Sequence, residues 1–132
     1  MTDKAYRWLD RHVAALGPNL TLCLSEADFK AVCDELEIAT PYNWVMPNAH
    51  AATHFFEQDG VWASVVCIND WQGRKLSTIA GVLIHEAVHV WQRHALSIGE
   101  INPGAEQEAY AIQYIAQELI SEFIRRERKD DD

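Results

Sequence analysis

His85 and His89 stand four residues apart in Ile84-His85-Glu86-Ala87-Val88-His89-Val90-Trp91-Gln92, and Glu86 directly follows the first of them. On an α-helix, side chains four apart share a face, with Cβ atoms about 5 to 6 Å from each other. Two imidazoles so placed can reach one zinc ion at about 2.0 to 2.1 Å each. Glu86 comes about 100° further round the helix, so it flanks such an ion rather than binding it. That position suits a general base: zinc lowers the pKa of its water toward about 7, and the carboxylate takes the proton and later passes it to a leaving amine. A Gln there could not accept the proton. Ile84, Ala87, Val88, Val90 and Trp91 are apolar and predict a buried helix, on which three polar groups set together need a shared reason. The plainer alternative is three separately satisfied core or rim residues.

A catalytic zinc takes a third protein ligand and keeps a fourth position open. Ten residues after His85 stands Ala95, and His94 misses that register by one. Further on, Gly104-Ala105-Glu106-Gln107-Glu108-Ala109-Tyr110 opens another helical stretch with two carboxylates. Residues two apart lie about 200° from each other on a helix, so only one can face the ion. Spacing alone does not choose between Glu106 and Glu108.

With a third His at metzincin spacing missing, these two stretches resemble the gluzincins, zinc peptidases whose third ligand is a Glu on the helix after HExxH. The likeness spans roughly residues 50 to 124, is strongest at 84 to 92 and 104 to 114, and is similar to the minigluzincins and to small metallopeptidase-like proteins of phages and prophages. It implies an α+β chain with a minimal zincin fold: a short twisted sheet or hairpin packed on the HExxH helix and the following glutamate helix. It implies His85, His89 and Glu106 as zinc ligands, Glu86 as base, and Glu108 as a solvated residue. Tyr110, one turn after Glu106, is the better candidate to hydrogen-bond the oxyanion of the tetrahedral intermediate, with His54 the other. The implied substrate is a peptide or unfolded protein segment, laid beside the strand nearest the cleft, for which Val61–Ile68 is the candidate. Small gluzincins can be held latent by their own termini, and the charged segment after Phe123 could do this here.

The elements that must position these groups are legible in outline. Thr2 and Asp3 can cap a helix to about Leu16, stopped by Gly17-Pro18, and Ser25-Glu26-Ala27-Asp28 caps a second that ends near Ile38. Residues 40 to 48, with Pro41 and Pro47, read as a loop. From about 50 to 68, β-branched and aromatic residues flank Asp59-Gly60 and predict a hairpin. His50 and His54 fall on this extended stretch and read as surface or turn histidines. Ser77 is a good N-cap for a helix to about Ala95, and a last helix over 104 to 128 precedes an acidic tail at 129 to 132.

One domain with a single core accommodates all 132 residues, 48% of them hydrophobic. With 11 basic against 20 acidic side chains, a net charge of -9 disfavours nucleic acid and anionic lipid surfaces. No run is long and apolar enough to span a membrane. Cys23, Cys33 and Cys67 are odd in number and form no CxxC, so they read as buried thiols of a reducing compartment. A cytoplasmic protein is expected, in a bacterial host cell if phage-encoded; the oligomeric state has no sequence signal. The expected activity is zinc-dependent peptide hydrolysis. The alternatives are a catalytically silent zincin-fold binding or phage assembly protein with a structural zinc, and a toxin or inhibitor-like partner protein whose HExxH is accidental.

Overall fold

The computed structural model of the chain describes residues 5–9, 19–39, 43–58, 61–97, 99 and 104–127. Within them the order is β1 (Asn19–Cys23), α1 (Glu26–Glu35), β2 (Ala51–Gln58), β3 (Val61–Ile68), α2 (Leu76–Ser97) and α3 (Ala105–Glu127). This is an α+β arrangement built on a three-stranded mixed sheet of order β1-β3-β2. β3 is central, parallel to β1 and antiparallel to β2.

The predicted hairpin forms with Thr53 opposite Val66 and His54 opposite Val65. Because successive strand residues face opposite sides, this register sorts the sheet between two cores. Val66 and Ile68 join Leu20 and Leu22 beneath α2 and α3, against Ile79, Leu83, Trp91, Ile115 and Leu119. Val65 and Cys67 join Cys23 beneath α1, against Phe29, Val32 and Cys33. All three cysteines are buried free thiols, as their isolation in the sequence predicts. Truncating a fully buried side chain such as Leu83 to Ala would cost about 2–5 kcal/mol.

β1 has no sequence prediction behind it. Its residues Leu20 to Cys23 are buried on both sides, as a strand between two helical layers must be, and so show no alternation. The expected N-terminal helix is overturned where it can be checked: residues 5–9 are not helical, Trp8 bridges Thr21 in antiparallel sense, and the Leu9 N–H donates to Leu20 O at 2.7 Å. Pairing with β1 offers this segment both a backbone partner and a buried place for Leu9, which the local helical spacing could not anticipate. The remainder of that expected helix and the 129–132 tail lie outside the described residues.

α1 begins as predicted. The Ser25 side chain accepts from the Asp28 N–H at 3.1 Å, and the Asp28 carboxylate accepts from the Leu24 N–H at 2.9 Å, a capping pair whose removal costs about 1 kcal/mol. The helix ends at Glu35, before the expected Ile38, where Glu37 takes a left-handed φ of 58°. α2 starts at Leu76, so Ser77 lies inside the helix instead of capping it.

α2 and α3 are antiparallel. Trp91 near the end of α2 meets Glu108 in the first turn of α3, while Trp71, just before α2, stacks edge-on against Phe123 at 5.4 Å. The end of α3 is tied down by charge. Arg125 grips both oxygens of buried Glu122 at 2.9 and 2.6 Å, Arg7 adds a bond at 3.0 Å, and Arg126 reaches Asp28 at 2.6 Å and Leu22 O at 2.8 Å. The segment after Phe123 is therefore part of the fold up to Glu127, and the rest of the expected latency segment lies outside the described residues. No described helix is long and apolar enough to cross a membrane.

Candidate metal centre and cleft

α2 is amphipathic, which corrects the expectation of a buried helix. Leu83, Glu86, Ala87, Val90, Trp91 and His94 are buried, whereas Ile84, His85 and His89 are exposed. The motif is thereby split by depth. The imidazoles of His85 and His89 sit next to each other on the outer face, ring centroids 4.9 Å apart and nearly perpendicular, while Glu86 turns inward and is 6% exposed as a residue. His89 Nδ1 lies 3.3 Å from Gln92 Oε1.

Glu86 reaches β2. The Thr53 hydroxyl donates to Glu86 Oε1 at 2.6 Å, a short charge-assisted bond that fixes the carboxylate. A cleft of about 480 Å3 opens at this point between the start of β2 and the first half of α2, lined by His50, Ala51, Thr78, Gly81, Val82, His85 and Glu86. Gly81, one turn before His85, would meet nothing within 4 Å if it carried a Cβ, so the helix wall is open there.

His50 is the cleft residue that sequence reasoning set aside. It is exposed, as a turn histidine should be, but its Nδ1 lies 3.2 Å from Arg74 Nη2. Arginine can only donate, so Nδ1 accepts and the proton sits on Nε2. His54 is corrected more firmly. Its Nε2–H donates to Trp44 O at 2.9 Å and its ring packs 4.6 Å from Phe29, on the α1 side of the sheet. Thr53 takes the cleft side, so His54 cannot reach a group bound there.

Strand roles change too. β3 is paired on both sides, so the expected display of Val61–Ile68 to a substrate is overturned. β2 is the edge strand next to the cleft, with no partner on its outer side among the described residues.

From α3 the arrangement is different from that expected. The Glu108 carboxylate accepts from the Trp91 indole N–H at 2.9 Å, so this residue is a packing link between helices and not a solvated one. Glu106 is exposed in the first turn, and Tyr110 is 58% exposed. The structure places His85 and Glu86 at the cleft and His89 beside His85 on the outer face, and does not bring Glu106 or Tyr110 to them. Among the described residues no set of three His, Cys, Asp or Glu side chains is poised around one point. The two imidazoles fit a borderline-soft divalent ion such as zinc; a third protein ligand from Glu106 would require the first turn of α3 to come over them.

No family model, curated protein or solved structure matches this chain.

Proposed function

We propose that this protein is a zincin-like, zinc-dependent peptide hydrolase whose centre is His85, Glu86 and His89. The observation that carries the reading is the division of labour along one turn of α2: two imidazoles outward, side by side, and one buried carboxylate inward, held by Thr53 at the edge of an open cleft. A purely structural metal site has no use for a fixed carboxylate beside it.

Zinc held by His85 and His89 would supply a Lewis acid that polarises the scissile carbonyl and makes water more acidic. Glu86 takes the proton from the attacking water and returns it to the departing amine. Thr53 bonds one carboxylate oxygen throughout, orienting the other for transfer. The free edge of β2 offers backbone groups to an extended peptide, holding it along the cleft. His50, with its proton on Nε2, is the cleft residue placed to donate to a carbonyl or oxyanion. Glu106 is proposed as the third ligand and Tyr110 as a further donor on the motif resemblance alone.

A second reading, a zinc-binding protein that cleaves nothing, draws on the lack of a gathered third donor among the described residues. The two separate on one experiment. Purified protein is loaded with zinc, its metal content measured, and cleavage of an unfolded protein followed for wild type, Glu86→Gln and His85→Ala. The hydrolase reading expects stoichiometric zinc in wild type and in Glu86→Gln, loss of zinc in His85→Ala, and cleavage by wild type only. Zinc without cleavage in wild type overturns hydrolysis; no zinc overturns both readings.

A further inference from the structure

Arg93 follows His89 by one turn of α2, and the structure assigns it a setting that the proposed chemistry does not use. Its guanidinium carbon lies 4.6 Å from the centre of the Trp62 ring and 5.8 Å from that of Phe55. Phe55 and Trp62 stand on β2 and β3 on the face toward α2. Aromatic rings take a guanidinium on its flat face by cation–π attraction and leave its N–H edge available. Arg93 is exposed, and among the described residues it makes no ion pair and no hydrogen bond. Glu57, opposite Trp62 in the hairpin register, is the nearest acidic residue in that register and is not bonded to it. In a chain of net charge -9, a cation that is fixed in place and has no anion among the described residues is a feature that asks for one.

Its position beyond the cleft, further along the same helix and strand, says what kind of anion. Edge strand β2 and helix α2 run side by side, Ala51 near Val82, Thr53 at Glu86 and Phe55 at Arg93. An extended chain laid along β2 past His85 and His89 therefore comes to Arg93. Four helical residues rise about 6 Å, and an extended peptide advances about 3.3 Å per residue, so Arg93 meets a group roughly two residues from the one held at the imidazole pair. We infer that Arg93 is a specificity-determining residue that binds a substrate carboxylate, an Asp or Glu side chain placed about two residues from the point of attack. The inference rests on the proposed placement of a peptide along this cleft, and it names the substrate class as acidic peptides.

Binding separates this idea from the hydrolase reading. The full chain bearing Glu86→Gln is titrated, with zinc present, against fluorescently labelled ten-residue peptides that are identical and neutral except for one Glu, walked position by position, with the matching all-Gln peptide as reference. The expected result is about a five- to tenfold tighter Kd when Glu occupies one particular position. Arg93→Gln abolishes that preference and leaves the Kd of the all-Gln peptide unchanged. Arg93→Lys, which keeps the charge but loses the planar fork, retains part of it. Glu57→Gln, which removes a negative charge on the same strand face that repels the peptide's Glu, strengthens it. Arg93 is no subsite if no position shows a preference for Glu, if the preference survives Arg93→Gln, or if none of the peptides binds. The same peptides are offered to the chain with Glu86 intact. Arg93-dependent binding without cleavage keeps the carboxylate subsite and refutes the hydrolase; cleavage indifferent to Glu does the reverse.

Discussion

Replacing Thr53 by valine removes one hydroxyl and very little volume, so its effect reads the bond to Glu86. That bond is 2.6 Å long and ends on the carboxylate of a residue that is 6% exposed. A hydrogen bond to a charged group contributes about 1.5–3 kcal/mol, and a buried acceptor deprived of it bears the desolvation cost. The expected loss is about 2 kcal/mol. For a chain of 132 residues, with an unfolding entropy of about 2.1 cal/mol/K per residue, this lowers Tm by about 7 °C. Glu86→Leu removes the other partner and strands the half-buried Thr53 hydroxyl, at about 1 kcal/mol. The double variant Thr53→Val with Glu86→Leu leaves two apolar groups facing each other and is expected close to wild type, so the cycle should return a coupling of about 1.5–3 kcal/mol. Urea unfolding of the four proteins measures it. A midpoint for Thr53→Val that coincides with wild type, or losses that simply add, would show that Thr53 does not hold Glu86 and would remove the support on which the base assignment stands. Where cleavage is measurable, Thr53→Val should also lower it about 10- to 100-fold, the size of effect seen when a partner that orients a site residue is removed.

Glu122 is 1% exposed between Arg7 and Arg125, so Glu122→Ala removes the carboxylate both cations share and should cost about 3 kcal/mol, the low end for a broken buried pair because Arg7 can turn to solvent; an unchanged urea midpoint would refute it. Ending the chain after Phe123 discards Arg125 and Arg126 with their anchors to Glu122, Asp28 and Leu22, and the expected result is a less stable protein with no gain in cleavage, checked by thermal unfolding beside the cleavage assay. Burial holds the His94 imidazole below its ordinary pKa of 6.5 by stripping water from the charged form. The unfolded chain therefore takes up the proton first, and this contribution to stability is full above about pH 6.5 and falls as pH drops below it. His94→Gln should accordingly show a smaller shift of the urea midpoint between pH 7.5 and 5.5 than wild type, and an equal shift would assign that pH dependence elsewhere.

Local signals account for much of the architecture. The Ser25 cap, the hairpin over 51–68 and the helices carrying HExxH and Glu106 are each specified within a dozen or so residues, by a capping side chain, β-branched and aromatic runs about a turn signal, or a period near 3.6. The relation of His85, Glu86 and His89 is equally local: once α2 forms, the imidazoles share a face and the carboxylate stands about 100° away. What a helix alone does not decide is depth. Packing of Leu83, Ala87 and Val90 on the sheet put Glu86 inside and the histidines outside.

The rest was settled by partners distant in the chain. β1 is too short and too evenly apolar to announce itself, and the segment at 5–9 exchanged a plausible helix for a place beside it. Which strand is the edge follows from β1 docking on β3, and that choice moved the candidate peptide-binding edge from Val61–Ile68 to β2. The hairpin register turned Thr53 toward Glu86 and His54 toward Phe29, and helix packing gave Glu108 to Trp91 while Glu106 faced water. By itself the sequence determined which residues could hold an ion and move a proton, because those relations span a single helical turn. Only the tertiary structure decided which of them meet, since strand order, register and burial depend on contacts between segments tens of residues apart.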